Sequence, residues 1–298
     1  MKSLLMLLMK VVIIIVLLFL GYVAYNIWTT ANQMYEPPTQ TKSEKRSKIV
    51  QIQEDPFSIL LLGVDERPGD IGRSDTMMIL TLNPHQKTML LTNIPRDTLV
   101  TIPGRTHKDK INHSYAYGGV ELARKTVENF LDIPIDGYVK VNMQGLEGIV
   151  DALGGIEVQV PFDFTFNGIK YHQGKMTLNG RESLAFARMR KVDPRGDFGR
   201  IDRQQQVIRG IIDKGSQFSS LQRFDEITEQ LGTNLKTDIP PFQFIRLQQS
   251  YPSMKSQDIQ TITLHGADRR INGVYYFQVS QSEIQRVHQR LAEHLELE

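Results

Sequence analysis

Near its N-terminus the chain carries an apolar stretch that a water-soluble core does not readily absorb. Leu4 to Met9, then Lys10, then Val11 to Trp28 run almost without polar side chains, close to the ~20 residues that cross the hydrocarbon of a bilayer. A transmembrane helix is therefore expected over residues 11–28, with Lys10 snorkelling to the near headgroup layer. Lys2, Lys10 and the terminal amine are cationic, whereas Tyr25 to Gln40 holds no Lys or Arg. That bias makes residues 1–10 a short cytoplasmic tail and puts everything after residue 28 outside the cell. The apolar core exceeds the length usual in a cleaved signal peptide and no A-x-A-like site follows it. The expectation is a single-pass anchor in the cell membrane.

Residues 29–55 are polar, with Pro37, Pro38 and a charged run from Lys42 to Lys48, and read as an extracellular linker. Residues 56–298 form the rest, expected as one catalytic domain. Of the 298 residues, 40% are hydrophobic and 23% charged, enough for a sizeable core. The absence of cysteine excludes disulfides, thiolate catalysis and Cys-ligated metals. A net charge of +2 is too small to suggest wholesale nucleic-acid binding.

Short apolar runs at Ser58–Leu62, Thr76–Leu82, Thr88–Ile94, Gly137–Val141 and Ile156–Val160 read as strands, several of them covered on both faces. Helical patterns fall at Val120–Leu131, Met143–Leu153, Arg181–Ala187, Arg200–Lys214, Pro241–Gln249 and Gln281–Leu297, with Gly118-Gly119 and Gly154-Gly155 as junctions. The alternation predicts an α/β fold, a mixed β-sheet sandwiched between helices.

The first strand ends in Gly63-Val64-Asp65, and Arg73-Ser74-Asp75-Thr76 opens the next. Two carboxylates at neighbouring strand ends suit Mg²⁺, which is commonly held by one or two carboxylates and substrate phosphates; Asp in such places also serves simply as a turn former. Ile94-Pro95-Arg96-Asp97 puts an arginine straight after a buried-looking strand. From Arg188 to Arg209 seven cations face three Asp residues, and Pro194, Gly196 and Gly199 interrupt the run, which suits a shaped loop better than a plain solvated helix face. In an extended chain Arg188 and Arg190 point the same way, while on the following helix Arg200, Arg203 and Gln204 share a face and Ile201, Ile208 and Ile212 form the buried stripe. Arginine forks bind phosphate bidentately and keep their charge. The seven histidines show no metal-ligand spacing, and His113 and His265 read as structural.

Taken in order, Leu61-Leu62-Gly63-Val64-Asp65, Gly72-Arg73-Ser74-Asp75-Thr76, Ile94-Pro95-Arg96-Asp97, Lys110-Ile111-Asn112-His113, Leu178-Asn179-Gly180, Ala187-Arg188-Met189-Arg190, Asp197-Phe198-Gly199-Arg200 and Arg203-Gln204-Gln205 make the chain resemble the LytR-CpsA-Psr family of cell-wall glycopolymer ligases. Its nearest resemblance is to the members that attach teichoic acid to peptidoglycan. The resemblance covers roughly residues 57–214 and implies a tunnel for a polyprenyl tail with an arginine-lined mouth. It implies that Asp65 and Asp75 hold Mg²⁺, and that Arg73, Arg96, Arg188, Arg190, Arg200 and Gln204 grip a pyrophosphate. Asp75 and Arg96 are the catalytic candidates.

The implied reaction moves a glycan-1-phosphate, teichoic acid or its linkage unit, from a polyprenyl-pyrophosphate carrier to the muramic acid 6-hydroxyl of peptidoglycan, with release of polyprenyl phosphate. A carboxylate, Asp75 or Asp65, takes the hydroxyl proton in that scheme. Two other readings use the same residues: a hydrolase of the lipid pyrophosphate with water as acceptor, and a membrane-bound transcriptional regulator with the basic block as footprint. The extracellular placement and the lack of a DNA-binding motif oppose the regulator, so no nucleic-acid partner is expected.

Overall fold

The computed structural model describes residues 22, 25, 28–30, 32–38, 42–52, 54–66, 69, 71–216, 232, 234–240, 243, 246 and 258–297. The expected anchor and the expected helix Pro241–Gln249 lie outside the described residues except at single positions. Among the described residues no helix is long and apolar enough to cross a membrane.

The strands β1 (Phe57–Val64), β2 (Ser74–Asn83) and β3 (Thr88–Asn93) follow one another as an antiparallel meander. Two short strands, β4 (Leu99–Val100) and β5 (Asp109–Lys110), pair with each other and lead into helix α1 (His113–Leu131). Strand β6 (Gly137–Asn142) returns beside β1 in parallel, and α2 (Met143–Ala152) follows it directly. The short strands β7 (Ile156–Val160), β8 (Phe164–Phe166), β9 (Ile169–Tyr171) and β10 (Gly174–Leu178) pair as β7 with β10 and β8 with β9. They precede α3 (Gly180–Arg188) and α4 (Asp197–Ser216). Strand β11 (Leu235–Thr237) joins the edge beyond β6, and β12 (Ile259–Thr263) joins the other edge in parallel with β3. A hairpin, β13 (Ala267–Ile271) with β14 (Val274–Gln278), leads to α5 (Gln281–His294). The main sheet therefore runs β11-β6-β1-β2-β3-β12 with mixed direction.

Side chains alternate across each strand, so β1 contributes to two cores. Leu60, Leu62 and Val64 pack with Val127 of α1 and Val287 and Leu291 of α5. Phe57 and Ile59 face the other way, with Met78, Leu91 and Ile239, and meet Ile208 and Ile212 of α4. A third cluster under α3 joins Ile156, Phe164, Tyr171, Phe186, Met189 and Val207. Helix starts follow local chemistry: Asn142 caps α2 by accepting from the Gly145 N–H, and Asn179 with Glu182 makes a reciprocal capping box at α3. Helix α1 begins before the expected Val120, because a first turn at His113 precedes a kink whose non-helical residues are Gly118 and Gly119.

Residues 42–55, linker-like in composition, are bound to the domain by paired charges. Arg46 forks onto Asp136 at 2.9 and 2.7 Å and also donates to the Pro56 carbonyl at 2.9 Å. Lys45 pairs with Asp132, while Lys48 pairs with Asp55 at 2.6 Å within the segment itself.

At the opposite end of the sheet from the cleft described below, α5 is pinned through His294. Its Nδ1 meets Thr81 Oγ1 at 2.9 Å and its Nε2 meets Thr88 Oγ1 at 3.0 Å, while its carbonyl accepts from Asn83 Nδ2 at 2.8 Å. Burial drives the imidazole pKa down to about 4, below the ordinary value near 6.5. As pH falls the unfolded chain takes up this proton before the folded one. Stability is expected to fall as pH drops from about 6.5 to about 4 and to level off below. Urea unfolding across that window measures the slope, and a His294→Gln variant should flatten it.

Candidate active site

Strands β1 and β6 end, and β2 begins, at one end of the sheet, so Gly63, Val64, Asp75, Thr76, Val141 and Asn142 form the floor of a single cleft of about 890 Å³. The turn joining β1 to β2 closes tightly: Gly72 has φ +68°, and a Cβ there would lie 2.1 Å from the Asp65 carbonyl oxygen, a contact only glycine avoids. The Asp65 N–H donates to the Arg73 carbonyl at 3.1 Å and completes the ladder end. Arg96 enters just after β3, because the Ile94 N–H extends the pairing to the Met77 carbonyl at 2.9 Å.

Arg96 Nη1 donates to Asp75 Oδ1 at 2.6 Å, and its Nε lies 3.6 Å from Asp97 Oδ2. Asp97 in turn holds Lys110 at 2.6 Å. Burial opposes the charge of Arg96, but the hydrogen bond and field of Asp75, with the fields of Asp97 and Asp197, together outweigh it, so this guanidinium holds its proton more tightly than usual.

The second wall comes from α3, α4 and the loop between them. Arg188 closes α3, Met189 caps it in extended conformation and is fully buried, and exposed Arg190 follows. Alternation across Met189 puts Arg188 and Arg190 on the same side, and both line the cleft. On α4, Arg200 and Gln204 also line it. Asp197 sits between two of the cations, its Oδ1 2.7 Å from Arg200 Nη2 and 3.4 Å from Arg190 Nε. Arg200 is 8% exposed, and burial pulls its pKa down despite Asp197. The buried Nε groups of Arg96 and Arg200 have no hydrogen-bond acceptor. A buried N–H of this kind costs about 1–3 kcal/mol until an acceptor meets it, and an anion in the cleft supplies one.

Arg203 departs from the helix face that sequence periodicity assigned to it with Arg200 and Gln204. It is wholly buried, ion-paired with equally buried Asp193, and it donates to the Phe186 carbonyl at 3.1 Å and to that of Met189. The inward stripe of α4 there is Arg203, Val207 and Gly210, with Ile201 half-buried. Asp193 lies so close to the helix that a Cβ on Gly199 would sit 1.9 Å from Asp193 Oδ2. The structure thus brings Asp75, Arg96, Arg188, Arg190, Arg200 and Gln204 to one cleft. Arg73 is exposed and Asp65 half-buried at the adjoining ladder end, and neither lines it. Sequence reasoning assigned no role to Asp193 or Asp197 and set Arg203 on the wrong face; the i,i+3 spacing of Asp197 and Arg200 was the one local signal.

A mixed α/β sheet carrying an arginine-walled cleft at its open end defines a phosphate-binding domain. The LytR_cpsA_psr family model matches residues 21–293, and the chain belongs to that family. It is 45% identical over 281 residues, 93% of this chain and 91% of the relative, to a Bacillus subtilis protein named polyisoprenyl-teichoic acid–peptidoglycan teichoic acid transferase TagU. The crystal structure of B. subtilis TagV superposes with a TM-score of 0.74 at 42% identity, covering 82% of this chain and 98% of that one. A LytR-CPS2A-psr family protein, YwtF (TagT), solved with bound octaprenyl pyrophosphate lipid, matches with a TM-score of 0.71 at 33% identity, over 88% of this chain and 99% of that one.

Replacing Arg203 by Met removes the buried partner of Asp193 and leaves its carboxylate only the Arg195 N–H and the more distant Arg195 guanidinium, 3.7 Å away. The expected cost is about 3–5 kcal/mol of folding stability, read as a lower midpoint in urea unfolding. A variant of wild-type stability would show that the pair does not hold this wall.

Proposed function

We propose that the chain is a phosphotransferase that moves a glycan-1-phosphate from a polyprenyl-pyrophosphate carrier to the 6-hydroxyl of muramic acid in peptidoglycan, releasing polyprenyl phosphate. The glycan is teichoic acid or its linkage unit. The observation that carries this reading is the convergence of Arg96, Arg188, Arg190, Arg200 and Gln204 with Asp75 on one cleft. The names of the relatives supply the substrate class: a teichoic acid transferase acting on peptidoglycan, and a family member holding a prenyl pyrophosphate.

The cleft suits such a donor at both ends. The guanidinium forks of Arg188, Arg190 and Arg200 bind pyrophosphate oxygens and offset the charge that builds on them in phosphoryl transfer. Apolar Val141, Leu146, Phe166 and Leu184 line the same cleft and offer a surface for the start of the prenyl chain. The acceptor oxygen–phosphorus bond forms as the bond to the carrier phosphate breaks, and the electron pair leaves with polyprenyl phosphate. Asp75 Oδ1 is held by Arg96, so the hydroxyl proton is taken at Oδ2.

Among the described residues no group of three or more His, Cys, Asp or Glu side chains forms a metal cage. The donors present, Asp75 in the cleft and Asp65 at the adjoining ladder end, fit a Mg²⁺ that takes its remaining ligands from substrate phosphate and water. When bound, the metal would neutralise phosphate charge and polarise the phosphorus. The N-terminal apolar stretch would hold the domain at the outer surface of the cell membrane, where carrier and wall meet.

The test combines the full chain in detergent, a lipid-pyrophosphate glycan, Mg²⁺ and soluble peptidoglycan oligomers, with mass spectrometry of the oligomers. A mass increase equal to glycan-1-phosphate is expected, lost on chelation. It should fall at least about 100-fold in Asp75→Ala and in Arg96→Ala, the scale on which removal of a transition-state stabiliser acts. Free glycan phosphate with unmodified oligomers would make the chain a hydrolase instead. Wild-type rates in both variants would sink the proposed site.

A further inference from the structure

Beside the cleft lies a surface that donor binding does not use. The β13–β14 hairpin is docked on the segment that follows Arg96: the Phe277 N–H donates to the Asp97 carbonyl at 2.8 Å, and Phe277 bridges Thr98. The Phe277 ring is buried and anchors the hairpin. Against it, at 6.1 Å between centroids and edge-on, stands Phe198, which is 46% exposed although it lies only two residues before Arg200 on α4. Tyr275 and Tyr276 are half-buried on β14, and Lys110, itself paired with Asp97, has its ammonium 6.0 and 5.7 Å from their ring centroids. Opposite the two tyrosines on β13 are the exposed Arg270 and Arg269.

Two short relays tie this surface to the cleft. One runs Asp75, Arg96, Asp97, Lys110 to the tyrosines; the other runs Arg200, Asp197 to the neighbouring Phe198. None of the hairpin residues lines the cleft. Strand order puts them on a definite side of it. The apolar lining comes from the end of β6, from α2 and from the α3 layer, whereas the hairpin sits past Arg96, on the β3 side of the sheet. In-line displacement brings the attacking oxygen to phosphorus opposite the leaving group. A donor whose prenyl chain leaves over the β6 side is therefore approached from the hairpin side.

We propose that Phe198 and Tyr275, with Arg270 opposite Tyr275 on the same face of the hairpin, form the acceptor subsite, which holds the amino-sugar chain of peptidoglycan beside the phosphate-binding cleft. This rests on the transferase reading above. Aromatic faces exposed next to polar groups suit sugar rings, which present an apolar C–H face and hydroxyl edges. The exposed Arg270 complements the carboxylates of attached peptides, and Tyr275 is oriented by its hydroxyl, which donates to Asp268 Oδ1 at 2.8 Å. These are positioning and binding groups, distinct from the residues that grip the donor.

The experiment uses the full chain in detergent and un-cross-linked peptidoglycan oligomers of defined length. Steady-state transfer is measured for wild type, the double variant Phe198→Ala/Tyr275→Ala and the single variant Tyr275→Phe, with thermal melts to confirm folding. The acceptor KM should rise about tenfold in the double variant, with donor KM and kcat close to wild type, and Tyr275→Phe should raise it less, because the ring is retained while the hydroxyl bond to Asp268 that orients it is lost. Calorimetric titration of the same oligomers without donor should show the same loss of affinity. An unchanged acceptor KM and unchanged oligomer affinity in the folded double variant would overturn the subsite while leaving the transferase reading intact. Oligomer binding that depends on these rings, in a chain that transfers nothing, would leave the subsite standing and remove the transferase.

Discussion

A buried ion pair between Arg203 and Asp193 organises one whole wall of the cleft. Arg203 reaches back from α4 to the carbonyls of Phe186 and Met189 at the end of α3, while Asp193 belongs to the connecting loop and also accepts from the Arg195 N–H at 2.8 Å. One guanidinium thereby satisfies the end of a helix, the turn of a loop and a carboxylate at once. Removing two charges from water is costly unless every lone pair finds a donor, and this network meets that condition through backbone groups. The consequence is local rigidity where it matters. Arg188 and Arg190 leave α3 on one side of this pair, Arg200 and Gln204 rise from α4 on the other, and the distance between them is set by this buried pair.

The opposite wall depends on strand ends. Because β1 and β6 run parallel and β2 runs against them, the C-terminal ends of β1 and β6 and the start of β2 coincide, and Arg96 comes to the same level just after β3. Asp75 and Asp197 each hold cleft arginines, but they are fewer than the cations they face. Partial neutralisation of this sort keeps the guanidiniums ordered and folded into the protein while leaving a net positive field for an anion. Full neutralisation would have produced a stable surface with nothing left to bind phosphate.

Several features were readable because they depend on neighbours along the chain. The runs that became β1, β2 and β3 needed only continuity of Leu, Ile, Val and Met, β6 and β7 needed the alternation of Val and Ile with polar residues, and the starts of α2 and α3 needed only Asn142 and the Asn179/Glu182 pair. The pairing of Arg188 with Arg190 across Met189 followed from simple alternation. Arg203 failed for the same reason that these succeeded: periodicity places a residue on a face of its helix, and charge suggests that the face is wet. Here Phe186, Met189 and Asp193, 17, 14 and 10 positions away, supply the partners that let it go inside. The short strands β4, β5, β8 and β9 carry two or three residues each, too few to show a period.

The sequence by itself determined that this chain combines a bilayer-length apolar stretch with an α/β domain, and that its Asp and Arg residues gather in a few short motifs. Those properties reside in residue type and spacing over a few positions, where hydrophobicity, turn geometry and charge act locally. Only the tertiary structure decided which cations reach the cleft and which serve the core, that Asp65 and Arg73 stand at its edge while Asp75 and Arg96 pair inside it, and that an aromatic hairpin from near the C-terminus lies against Asp97. Each of these turns on contacts between segments far apart in the chain. Burial and pairing there are settled by the packing of whole elements, which no short window of sequence contains.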